Sequence, residues 1–72
     1  MTAQTIDNRG LEPPEPMVRI LAALASLENG SELAVLMDRE PFLLYPELER
    51  RGFEWDFVEQ AEDFLLTIRH VS

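Results

Sequence analysis

The stretch Leu11-Glu12-Pro13-Pro14-Glu15-Pro16-Met17-Val18-Arg19-Ile20-Leu21 packs three prolines into four positions and then turns apolar at helical spacing. Proline lacks a backbone N–H and holds the residue before it extended, so no helix interior fits ahead of Pro16. Beyond it Met17, Ile20, Leu21, Leu24 and Leu27 recur at three- and four-residue steps, flanked by Val18 and Ala25, until Asn29-Gly30. The spacing predicts one amphipathic helix with Pro16 at its first position and Gly30 just past its end.

On the N-terminal side, Ala3 to Asp7 reads as a short strand that runs into the turn residues Asn8, Arg9 and Gly10. On the other side, Ser31 to Asp38 alternates: Leu33, Val35 and Met37 share one face and Glu32, Ala34 and Leu36 the other. Asp38-Arg39-Glu40-Pro41 opens a shorter helix that extends to Arg51 and stops at Gly52, with Pro46 where the helix must start, kink or break. Phe53 to Glu59 alternates with Phe53, Trp55 and Phe57 inward, and after a polar turn Phe64 to Val71 returns as the last strand. The order β-α-β-α-β-β predicts an α+β fold, a two-layer sandwich of one mixed four-stranded sheet with both helices on one face. Residues 1–72 form a single domain, since no repeat, low-complexity tract or linker divides them.

Composition removes much chemistry. The 72 residues hold fourteen Asp and Glu against six cations, all arginine, with neither cysteine nor lysine, and the net charge is −8. A disulfide, a thiolate nucleophile, a thiolate zinc site and a lysine Schiff base are therefore all impossible. The acidic balance repels phosphate backbones and anionic membrane surfaces, so no nucleic-acid or membrane partner is expected. The polar N-terminus from Met1 to Arg9 does not resemble a signal peptide, and no apolar run approaches transmembrane length, so a cytoplasmic protein is expected. No positioned nucleophile or acid–base pair is discernible, and no enzyme is expected.

The element order, with Arg9-Gly10-Leu11-Glu12-Pro13-Pro14-Glu15-Pro16 feeding a helix that ends in Asn29-Gly30, resembles the TusA-like (SirA-like) sulfur-carrier family. The resemblance spans nearly the whole chain. It implies a Cys-Pro-x-Pro motif at the first helix, whose cysteine bears a persulfide. Pro14, Glu15 and Pro16 match the Pro-x-Pro part, but Pro13 stands where the cysteine belongs, and thioethers do not carry persulfide. The chain thus looks like a cysteine-less, uncharacterised branch of that family, marked also by Asp38-Arg39-Glu40-Pro41 and by Tyr45-Pro46-Glu47-Leu48 with Arg51-Gly52-Phe53. Members of such a branch stand alone or join hemerythrin-like domains, which implies redox or nitrogen-oxide physiology by association.

If the first two strands are parallel, their carboxyl ends lie side by side, the edge where open sheets bind ligands. Arg9, Gly10, Glu12, Pro13, Pro14, Glu15, Asp38 and Arg39 are the candidate binding residues there, with Arg9 and Arg39 facing one another beside two helix N-termini. The leading expectation is a non-catalytic protein-interaction or regulatory module that presents this edge to a protein partner. The alternative is a sensor of a small oxyanion or metabolite at the first helix N-terminus. A simpler reading is favoured for the arginines: they pair with Asp7, Glu12, Glu15, Asp38 or Glu40 to hold two loops together.

No cofactor and no metal site are expected, because the acidic residues lack calcium-loop spacing and arginines share their loops. His70, aligned with Phe64, Leu66 and Ile68, is expected to pack or cap at the strand end. The aromatics Phe42, Phe53, Trp55, Phe57 and Phe64 are expected in the core. Ala34, Leu36, Val58, Leu65 and Val71 interrupt the non-helical sheet face, where a homodimer is a second partner expectation.

Overall fold

Alternation along the second strand sets the middle of the molecule. A computed structural model describes residues 3–71, leaving Met1, Thr2 and Ser72 outside the described residues. The elements are β1 Ala3–Asp7, α1 Glu15–Ala25, β2 Glu32–Met37, a 3₁₀ turn Phe42–Leu44 leading into α2 Tyr45–Arg50, β3 Phe53–Glu59 and β4 Phe64–His70. The sheet order is β1-β2-β4-β3, with β1 parallel to β2 and the other two pairs antiparallel. This is the mixed four-stranded α+β sheet expected from the sequence.

The register lines the apolar positions up across the sheet. Ile6 pairs with Val35, Val35 with Leu66 and Leu66 with Phe57, while Leu33 pairs with Ile68 and Ile68 with Trp55. Ile20 and Leu24 of α1, Leu44 of the 3₁₀ turn and Leu48 of α2 are buried in the same cluster as these strand residues, so both helices cover one face. Each such side chain contributes about 1.5–3 kcal/mol when fully buried. The aromatics divide: Phe53 is buried, Trp55, Phe57 and Phe64 pack half-buried against the core, and Phe42 is 68% exposed.

Helix ends differ from the expected ones for local reasons. α1 begins at Glu15, with Pro14 as its N-cap and Pro16 in its first turn, where a missing N–H is no loss. It stops at Ala25, short of Asn29-Gly30, because Leu27 N–H closes back on Leu24 O (3.1 Å) and carries the Leu27 side chain into the core. Gly30 then takes φ +86°, a left-handed conformation glycine adopts without steric cost. The second helical segment does not open at Asp38-Pro41: a 3₁₀ turn starts at Phe42, and Pro46 lies in the first turn of the six-residue α2. The carboxyl edge of the sheet therefore has one helix start, not two.

Leu66 is fully buried and Leu43 is 83% exposed, so the two leucines differ sharply in what truncation removes. Leu66→Ala is expected to lower unfolding free energy in urea by about 2–5 kcal/mol, and Leu43→Ala to change it by less than about 0.5 kcal/mol.

Candidate functional site

The chain leaving β1 is clasped on three sides. Asn8 N–H donates to Leu36 O (2.9 Å), extending the β1–β2 pairing by one residue, and its side-chain Nδ2–H donates to Pro16 O (2.9 Å) in the first turn of α1. Asn8 is 1% exposed, and its Oδ1 is buried without a hydrogen-bond partner. Gly10, at φ +78°, gives its N–H to Asp38 Oδ2 (2.8 Å), which ties the proline loop to the end of β2. Arg19 of α1 adds a bond from Nη1 to Asp7 O (3.0 Å).

Arg9 and Arg39 have different partners. Arg9 grips Asp7 with Nε (2.9 Å), Nη2 (2.8 Å) and its backbone N–H (3.0 Å), and Nη1 reaches Asp63 in the β3–β4 turn at 3.2 Å. Arg9 thus has one partner among those expected, Asp7, and one not foreseen, Asp63, and it ties its own loop to the β3–β4 turn. Arg39 lies 3.9 Å from Asp38 and its side chain is 69% exposed, so it remains open to solvent. Of the first residues of α1, Glu15 gives its N–H to Glu12 O (3.0 Å) and Pro16 has none. Few donors at this helix start are left for an anion.

What the edge does present is an apolar cleft of about 330 Å³. Pro13, Pro14 and Met17 line it from the proline loop and α1, Phe42 and Leu43 line it from the 3₁₀ turn, and Asp38, Arg39 and Glu40 also stand in its lining. Four of the eight expected residues, Pro13, Pro14, Asp38 and Arg39, meet around the cleft. Glu12 and Glu15 are exposed in the loop and helix start beside it, Gly10 braces it through Asp38, and Arg9 is engaged elsewhere.

Several cleft residues escaped the sequence reading. Asn8 looks like an ordinary turn residue, and Phe42 and Leu43 face outward because the 3₁₀ phase buries Leu44 instead. Two large apolar residues directly after Pro41 were the available signal. Behind them, Tyr45 stacks on Trp55 (4.9 Å between centroids, 12° between planes) and its hydroxyl donates to Glu40 Oε2 (2.9 Å). Burial first, and that hydrogen bond second, push the Tyr45 hydroxyl above its usual value, so it stays a neutral donor holding Glu40 in place.

Elsewhere, His70 Nε2 lies 2.8 Å from Leu27 O, a carbonyl that only accepts, so the ring nitrogen donates and caps the chain after α1. Its ring also packs 4.6 Å from Phe53. Among the described residues no three His, Asp or Glu side chains converge to hold a metal ion, and no helix is long and apolar enough to cross a membrane. On the non-helical face Leu36, Leu65 and Val58 form one row across three strands. The adjoining rows, Ala34–Thr67–Asp56 and Glu32–Arg69–Glu54, are largely polar.

This combination of a mixed α+β sheet and a proline-walled cleft is seen in a chain of an uncharacterised family. The protein belongs to the family described as Uncharacterized conserved protein (DUF2249), whose pattern matches residues 5–70. Comparison with curated proteins and with solved structures gives no match.

The Asp7–Arg9 contact makes a pH prediction. The side-chain hydrogen bonds of Arg9, and then its backbone N–H, pull the Asp7 carboxyl from 3.8 down to about 2. A depressed folded-state value means the contribution is complete above the unfolded value and is lost as pH falls toward the folded one. Carboxyl-carbon NMR is expected to place the Asp7 midpoint near 2, and Arg9→Ala to return it toward 3.8.

Proposed function

We propose that the protein is a cytoplasmic, non-catalytic interaction module whose cleft receives an apolar side chain from a basic segment of a protein partner. The carrying observation is the pair Phe42 and Leu43, 68% and 83% exposed beside a hydrocarbon-walled cleft at the carboxyl edge of the sheet. Exposed apolar residues gathered beside a cleft mark an interaction surface, and an aromatic or aliphatic anchor seated in a pocket is where binding energy concentrates. Asp38 and Glu40 stand in the lining with Arg39, Glu12 and Glu15 are exposed in the adjoining loop and helix start, and the net charge is −8, so a basic segment is steered toward the cleft.

A likeness to the TusA-like sulfur carriers belongs to the same proposal. Its support is the element order β-α-β-α-β-β and the Pro-x-Pro turn at the first helix, with Pro13 at the carrier's cysteine position. Pro13 and Pro14 line the cleft, so the edge that bears the cargo atom in a carrier would here serve recognition. The oxyanion reading has less behind it, since Arg9 is engaged by Asp7 and Asp63 and the helix start keeps few free donors. For self-association the outer face offers only the Leu36–Leu65–Val58 row, and the net charge opposes bringing two copies together.

Selection of random displayed peptides on the intact protein tests the proposal. Enriched peptides are expected to carry an apolar residue flanked by lysine or arginine and to bind less tightly as salt rises. Leu43→Asp is expected to weaken them roughly tenfold or more without unfolding the domain. Enrichment of sequences with no basic residues, or binding indifferent to Leu43→Asp, contradicts the assignment, as does a saturable response to sulfate, thiosulfate or nitrite in place of peptide.

A further inference from the structure

The cleft is largely hydrocarbon, with Asp38, Arg39 and Glu40 in its lining and one further polar residue, Asn8, that holds an atom with nothing to bond. Asn8 is among its lining residues and is 1% exposed. Its Nδ2 is committed to Pro16 O, which fixes the other end of the carboxamide as the acceptor, and that Oδ1 has no hydrogen-bond partner. A buried carbonyl left unpaired costs about 1–3 kcal/mol, a cost that a bound donor removes.

We propose that the cleft recognises a tryptophan next to basic residues, the indole N–H donating to Asn8 Oδ1 while its rings lie between the proline wall and Leu43. This rests on the docking reading above and names its anchor. An aliphatic anchor fits hydrocarbon walls but leaves Oδ1 unpaired. A phenol adds an acceptor of its own that the walls do not satisfy, and an ammonium or guanidinium loses its hydration among prolines and leucine. Indole is apolar over its faces and is a donor only, which matches an acceptor-only atom in an apolar cleft. The lysine or arginine beside it meets Asp38 and the exposed carboxylates of Glu12 and Glu15. Oδ1 is sealed from water in this conformation, so the wall must yield as the ring enters. Met17, unbranched and half-buried, is a wall residue suited to repacking.

Two basic peptides that differ in one residue decide it. One carries a central tryptophan, and the other carries 3-benzothienylalanine, where sulfur replaces the indole N–H in a ring of similar shape and greater hydrophobicity. On the wild-type protein at fixed salt, the tryptophan peptide is expected to bind roughly tenfold tighter, the size of one hydrogen bond made away from water. The Asn8 side-chain amide resonances are expected to shift with it. In Asn8→Leu the preference is expected to vanish, and should that variant fail to fold, the peptide pair on the wild type still decides.

Equal or tighter binding of the benzothienyl peptide to the wild type, still lost in Leu43→Asp, overturns the indole assignment and leaves the docking cleft standing. Failure of both peptides to bind, or binding of both that ignores Leu43→Asp, overturns the assignment together with the reading it rests on.

Discussion

Asn8 holds together the segments from which the cleft is made. Its backbone extends the parallel pairing of β1 with β2, and its carboxamide reaches Pro16 in the first turn of α1. The loop between them contains two consecutive prolines, Pro13 and Pro14, and so has few donors for securing itself. Side-chain bonds from outside supply that role: Asn8 from beneath and Asp38, through Gly10, from the end of β2. Each such bond contributes only about 1 kcal/mol net. They matter because they fix the direction in which a proline wall faces, not because they dominate stability.

Stability comes from the core that adjoins the cleft. Leucine and isoleucine side chains from α1, the 3₁₀ turn and α2 meet β2 and β4 in one buried cluster. That cluster reaches the carboxyl edge and then stops: Leu44 turns in, while Phe42 and Leu43, in the same short turn, do not. A three-residue turn of 3₁₀ helix repeats its faces every third residue, so it cannot bury all three neighbours at once. The exposed pair is thus a geometric consequence of burying Leu44, and it lines the cleft together with Pro13 and Pro14. An unpaired carboxamide oxygen beneath the same cleft is a second departure from the rules that govern the remainder of the core, and such departures gather where a protein meets its ligand.

Much of this was legible in the chain. Alternation at Leu33, Val35 and Met37, and again at Phe53, Trp55 and Phe57, places the inner faces of β2 and β3, and the prolines place the start of α1 within a residue. Helix ends were less legible, because Leu27 leaves the helix while keeping its periodic spacing. The first turn of the second helical segment was not legible either, since Pro41 and Pro46 permit several continuations and the 3₁₀ form depends on tertiary packing of Leu44 and Leu48. At the edge, Pro13, Pro14, Asp38 and Arg39 do come together, and one partnership was not legible. Arg9 is taken by Asp63, distant in sequence and brought near only by the sheet order β1-β2-β4-β3. Asn8 gave no sign, because an asparagine before Arg-Gly reads as a turn whether or not it is buried.

Partner recognition is proposed to occur in the cleft and not on the outer sheet face. The most direct test is a map of backbone amide shifts in the ¹⁵N-labelled protein on adding a selected basic peptide. The largest changes are expected at Met17, Arg39 and Leu43. Changes concentrated at Leu36, Val58 and Leu65, with the cleft residues still, would contradict that placement.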